Sequence, residues 1–133
     1  MVSKYLAEAI ATFFLVFIGA GTAIAGGGAL DVAVATGLAL MAGIYATAHI
    51  SGGHVNPAVT VAMWVAEKIS SREGFIYIIS QLIGAVVAGV FLLAIYPAQP
   101  ANLGATQLAE GISLGAGALV EGVLTFKLIL VIF

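Results

Sequence analysis

The chain has 133 residues, of which 62% are hydrophobic and 8% charged, with a net charge of −2 and a mean hydropathy of +1.21. A soluble domain carries roughly a quarter of its residues as charged side chains; four basic and six acidic groups cannot cover a water-facing surface, so a soluble enzyme is excluded. No basic run tracks phosphates, which excludes a nucleic-acid binder, and the absence of cysteine removes disulfides, thiolate metal sites and a cysteine nucleophile.

Four apolar runs have the roughly 20 residues needed to cross about 30 Å of hydrocarbon. The first, residues 5–25, follows Lys4 and ends in Gly26-Gly27-Gly28, a helix-stopping signal. A secretory signal peptide is its competing reading, since Ala23-Ile24-Ala25 resembles a cleavage site; against it, the run is longer than a signal core and Glu8 sits in its first turns. An acid inside a span is expensive unless paired, which makes Glu8 a functional-site candidate. The second run covers residues 32–50.

After it, Ser51-Gly52-Gly53-His54-Val55-Asn56-Pro57-Ala58 and the residues to Ala66 break the pattern. This stretch is too apolar for an aqueous loop and too short to span. As a helix, 56–66 is about 16 Å long, half the hydrocarbon thickness, which predicts a re-entrant half-helix. Asn56 is a favoured N-cap and Pro57 suits the first helical position. Extended backbone before it is tolerated at membrane depth only when buried in protein or lining a wet cavity. A half-helix pointing its N-terminus at the midplane presents free N–H groups and about half a positive charge, which repels cations and offers hydrogen bonds to neutral molecules. The alternative is that Asn56-Pro57 starts an interfacial helix, since this is common helix-start chemistry.

The third run, 74–95, carries small residues four apart, Gly84 with Ala88 and Ala85 with Gly89, suited to close helix approach. A polar connection from Pro97 to Glu110, with Gln99, Pro100, Asn102 and Gln107, leads to the fourth run, 115–133. Lys4, Lys68 and Arg72 fall on one side of the predicted topology, and the connections 26–31 and 96–114 contain no Lys or Arg; this places the N-terminus in the cytoplasm. Trp64 and Tyr77 read as anchors at the cytoplasmic interface and Tyr96 as one outside. His49 and His54 are five apart rather than at the i, i+4 spacing of a helical zinc pair, so no metal or cofactor is expected. Ser3, Ser51 and Thr60 have no base in a nucleophile arrangement.

The string His49-Ile50-Ser51-Gly52-Gly53-His54-Val55-Asn56-Pro57-Ala58-Val59-Thr60 resembles the first signature loop of the aquaporin (major intrinsic protein) family almost position for position, and Glu8 with Thr12-Phe13-Phe14-Leu15-Val16-Phe17 is similar to that family's opening helix. The resemblance implies an all-α membrane protein, an inverted-repeat helical bundle of which this chain, residues 1–133, carries the first repeat and part of a fourth spanning helix. It implies a passive channel for water or small neutral solutes, multi-pass in the plasma membrane, surrounded by lipid and assembled as a homotetramer. By resemblance Asn56 donates to the permeating molecule, Pro57 and Ala58 form the packed tip, and the carbonyls of Gly52, Gly53 and His54 form a polar ladder, with glycine leaving the channel open. Thr36, twenty residues before Asn56, takes a constriction position that is often aromatic in the family; a smaller hydroxyl side chain there implies a wider or more polar constriction. Leu40 and Ile44 follow on the same helical face, as pore wall or as ordinary helix or lipid contacts. Glu8 is implied to anchor the re-entrant loop.

Laying Glu121, Thr125, Phe126 and Leu128 on Glu8, Thr12, Phe13 and Leu15 gives identity at one spacing, an internal repeat that makes Glu121 the second loop-anchoring acid. An offset of about 113 residues puts a second tip near position 169. The expectation is a truncated channel; a half-channel pairing with a second copy, a non-conducting fragment and a broken-helix transporter are the alternatives. Lys127, inside the fourth run, either snorkels or faces a polar interior.

Overall fold

The computed structural model describes residues 3–98 and 102–133; Gln99 and Pro100 of the expected polar connection lie outside the described residues. Five helices follow one another: α1 Lys4–Ile24, α2 Ala29–Ser51, α3 Pro57–Val65, α4 Ser71–Ile95 and α5 Leu114–Ile132. There is no strand among the described residues, and α1, α2, α4 and α5 are each long and apolar enough to cross a membrane. The sequence places the spans at 5–25, 32–50, 74–95 and 115–133 and the half-helix at 56–66; the main difference is a three-residue earlier start of α2 and α4.

Local chemistry sets these starts. Ser3, Ser70 and Ser113 each accept a hydrogen bond from a backbone N–H three residues on, at 3.2 Å, filling one of the donors a helix leaves open at its N-terminus. Asp31 accepts from the Gly28 amide at 2.9 Å, which explains why α2 begins ahead of its apolar run. Gly52 ends α2 in the left-handed conformation with φ +89°.

α1 lies between α2 and α4 and packs along both, while α3 rests on α4 and touches α5. Small residues permit the approach: a Cβ on Gly84 would stand 2.2 Å from the Ala9 carbonyl oxygen, and one on Gly43 3.6 Å from the Ala11 Cβ. Of the two pairs expected in α4, Gly84 and Ala88 are buried, whereas Gly89 has open space around it. Phe13 of α1 meets Phe91 of α4 edge-on at 5.4 Å, and Lys4 Nζ meets Glu73 Oε1 at 2.6 Å where α1 and α4 begin. In α5 no residue is buried.

The course of α3 follows from its bonds to α4. Thr60, near its start, is bonded to Gln81, eleventh residue of α4, and Trp64, near its end, donates to Ser71, the first. At 1.5 Å per residue Gln81 lies about 15 Å along a helix about 37 Å long. α3 therefore begins near mid-depth and returns to the end from which α1 and α4 start.

Gly84→Ala should force α1 from α4 and cost about 1–3 kcal/mol as overpacking, whereas Gly89→Ala should be neutral or slightly stabilising; thermal unfolding of both variants in detergent is the measurement.

Candidate functional site: the re-entrant loop and its carboxylate anchor

Three consecutive peptide units join Gly52 to Val55, and their N–H groups are all engaged. The Gly53 amide donates to Ser51 Oγ at 3.2 Å, the His54 amide to Glu8 Oε1 at 3.0 Å and the Val55 amide to Glu8 Oε2 at 2.7 Å. No peptide bond among the described residues is cis. In a planar trans peptide the C=O points opposite to the N–H, so the carbonyls of Gly53 and His54 are turned away from Glu8 and that of Gly52 away from Ser51 Oγ. None of the three accepts a hydrogen bond from a described residue.

Glu8 is fully buried and takes two further donors, Ser51 Oγ at 2.6 Å and Gln81 Nε2 at 2.7 Å. Four donors on two oxygens match the acceptor-only character of a carboxylate. The last residue of α2, the loop and the middle of α4 are thus drawn onto one side chain of α1. Thr12, one turn further along α1, donates to the Val55 carbonyl at 3.3 Å. Val55 is held at φ +54°, a left-handed conformation unfavourable for a β-branched residue and sustained by bonds to both its backbone groups.

Asn56 caps α3: its Oδ1 accepts from the Ala58 amide at 2.8 Å. The rest of its side chain, Nδ2, donates to no described residue and is not sealed from solvent. Pro57 and Ala58 are half-buried and line an open apolar groove of about 660 Å³ between α3 and α5, with Val61, Thr125 and Ile129. Thr36 is half-buried beside Gly19, where a Cβ would stand 2.7 Å from its Oγ1, and lines a cavity of about 350 Å³ with Thr106 of the connection before α5. Leu40 and Ile44 are half-buried on the same helix. Glycine at 53 has a packing reason: φ is +65°, and a Cβ would stand 3.3 and 3.4 Å from the Cα atoms of Ala48 and Ile44, so the loop lies directly on the α2 backbone. Glu121 and Lys127 are exposed on α5, and Glu121 joins no hydrogen bond among the described residues; the structure does not bring it to the loop. His49 is exposed as well.

Several members of the site are not evident from the sequence. Tyr77, expected at the interface, is instead 2% exposed and donates to the Ser51 carbonyl at 2.8 Å, its ring edge-on to that of His54 at 5.0 Å. Gln81, fully buried, donates to both Glu8 and Thr60. Its signal was an amide in the middle of an apolar span, costly there unless hydrogen-bonded.

A family description supplies what geometry leaves open. The model of the Major intrinsic protein family matches residues 1–133. The chain belongs to this family. It is 38% identical to Aquaporin-4 of Mus musculus over 96% of its length, 42% to the Glycerol uptake facilitator protein-like 6 of Lactiplantibacillus plantarum over 97%, and 41% to the Lens fiber major intrinsic protein of Ovis aries over 96%. Those matches cover 42%, 61% and 50% of the relatives, so the chain spans about half the length of the curated relatives it matches. Major intrinsic proteins are channels, not enzymes, and with four apolar helices this one is an integral, multi-pass membrane protein.

Glu8→Gln replaces one acceptor oxygen with an NH₂ that faces other donors. It should cost on the order of 3 kcal/mol, the penalty of leaving buried donors unpaired, and amide exchange at Gly53, His54 and Val55 should accelerate well before exchange in the middle of α4.

Proposed function

We propose that this major intrinsic protein forms part of a passive channel for water or small neutral solutes, with the re-entrant loop as its polar wall. The observation that carries this reading is the sidedness of the loop. Its N–H groups are consumed by Glu8 and Ser51, which leaves the carbonyls of Gly52, Gly53 and His54 as successive acceptors at a depth where lipid supplies no donor. Asn56 Nδ2 continues the series as a donor at the tip, with Pro57 and Ala58 packing that tip. A run of acceptors ending in a donor replaces the hydration of a neutral solute, while the N-terminal end of α3 disfavours cations.

In this reading Thr36, Leu40 and Ile44 form the facing wall, and the hydroxyl of Thr36 admits solutes larger or more polar than water. Names of relatives point both ways, since one is an aquaporin and another a glycerol uptake facilitator-like protein. Glu8 is the loop anchor, and Glu121 serves a second loop of the same kind. The N-terminus faces the cytoplasm, in keeping with Lys4, Lys68 and Arg72 at one end, and the working assembly is a homotetramer in the plasma membrane. One half-helix makes one wall, so conduction needs a counterpart tip from a second half or a second copy. The exposed α5, which among the described helices touches α3 alone, favours a second reading in which the 133 residues insert and pack without conducting.

Proteoliposome swelling under an osmotic step separates the two. A chimera that follows residue 133 with the corresponding second half of the glycerol uptake facilitator-like relative should conduct, and the 133-residue chain should conduct only if copies pair. A chimera that folds and passes neither water nor glycerol would sink the channel reading. Within the conducting chimera, Asn56→Asp keeps the capping oxygen and removes the N–H donor. α3 should survive, by circular dichroism, while water permeability falls by up to about tenfold, the worth of one hydrogen bond. Thr36→Phe should reduce glycerol flux more than water flux; if both are unchanged, Thr36 lies off the path.

A further inference from the structure

Protons in the network around His54 can be placed by elimination. The Gln81 side-chain nitrogen lies 2.7 Å from Glu8 Oε2, and a carboxylate only accepts, so the amide is oriented with Nε2 toward Glu8. Its second N–H reaches Thr60 Oγ1 at 3.0 Å. The Thr60 hydroxyl thereby spends one lone pair on Gln81 and keeps one proton to give and one lone pair to fill. Its remaining neighbours are the Asn56 carbonyl at 3.1 Å and His54 Nδ1 at 3.1 Å. A backbone carbonyl only accepts. All three contacts are hydrogen bonds in a single arrangement, with Thr60 donating to Asn56 and His54 Nδ1–H donating to Thr60. In the other tautomer Thr60 turns its proton to a bare Nδ1, and no proton lies between Thr60 and the Asn56 carbonyl.

We propose that His54 is held as the Nδ1–H tautomer and that its bare Nε2 is a fourth acceptor beside the three loop carbonyls, for a neutral permeant that carries O–H or N–H groups. Nε2 has no partner among the described residues, yet it is not sealed: among them the one side-chain polar atom both buried and unpartnered is Gln81 Oε1. It adjoins Gly52, which is exposed, and a Cβ at that position would stand 3.6 Å from Nε2. Glycine there leaves the nitrogen uncovered. For a neutral ring the tautomer follows from the hydrogen-bond inventory, while the role toward a permeant rests on the channel reading above.

The ring can be read directly by solid-state NMR of the full 133-residue chain in lipid bilayers, ¹⁵N-labelled at histidine and carrying His49→Asn so that His54 is its sole histidine. The expected spectrum at neutral pH has a protonated, pyrrole-type Nδ1, a pyridine-type Nε2 and a dipolar contact between Nε2 and water. Protonation on Nε2 with a bare Nδ1, or on both nitrogens, overturns the assignment; an Nε2 with no water contact overturns its place on an open surface. Thr60→Val removes the acceptor that keeps the proton on Nδ1, and the ring should shift toward the Nε2–H form. Thr60→Ser, which keeps the hydroxyl, should retain the original pattern, and an unshifted ring in Thr60→Val overturns the elimination. Since this readout needs no solute flux, the expected tautomer in a protein whose chimera does not swell would overturn the channel reading and the permeant role together, and leave the proton assignment standing.

Discussion

A single buried carboxylate organises this fold. Glu8 sits in a helix that has to lie in hydrocarbon, where an unpaired charge costs several kcal/mol, and it accepts four hydrogen bonds from Ser51, His54, Val55 and Gln81. Hydrogen bonds to a charged group contribute roughly 1.5–3 kcal/mol each, so the set can outweigh the cost of burial where any one bond could not. The donors come from the end of α2, from the loop and from α4, and Glu8 is satisfied only when all three are in place. Its requirement for donors also explains why Val55 tolerates a left-handed backbone conformation: that conformation is part of the geometry in which its N–H reaches α1.

The polarity of the loop follows from that attachment. Peptide groups carry a donor and an acceptor on opposite edges, and pinning one edge to an acid presents the other edge elsewhere. An anchor made of a buried lysine or arginine would have captured the carbonyls and left the N–H groups free. The sign of the buried charge thus decides the hydrogen-bonding character of the opposite edge. α3 adds a complementary element, because its cap engages the Asn56 oxygen and leaves the amide nitrogen at the tip. The loop therefore offers acceptors along its length and a donor at its end, an arrangement suited to molecules that do both.

Much of this was legible in the sequence, for reasons that differ by element. The spans are written in composition and length, and the start of α3 in the Asn-Pro pair, because capping is a local interaction. The resemblance of the loop string and of the Glu8 helix pointed to the family that the family model then matched. Which face of α2, α4 or α5 turns inward was not legible, because these helices are apolar all round and carry almost no amphipathic signal. That is why Tyr77 read as an interface anchor although it is buried against Ser51 and His54, and why Gln81 went unassigned although it touches the acid. Gly53 illustrates a different gap: a glycine beside a channel signature suggests room for a permeant, but its immediate neighbour is the α2 backbone at Ile44 and Ala48, a contact no local pattern announces. Thr36 likewise faces Gly19 of α1, a pairing set by the crossing of two helices.

The span of sequence tied together at Glu8 has a consequence for how the chain is made. Ser51 follows it by 43 residues and Gln81 by 73, so Glu8 leaves the ribosome ahead of all its donors. The first helix has to be accommodated with that charge still hydrated or held by the insertion machinery, and the re-entrant loop, emerging next, finds only part of its final seat. Arrival of α4 brings Gln81 and Tyr77 together with the acid and the loop. The segment that reaches mid-depth without spanning is thus fully seated only once α4, made after it, is in place.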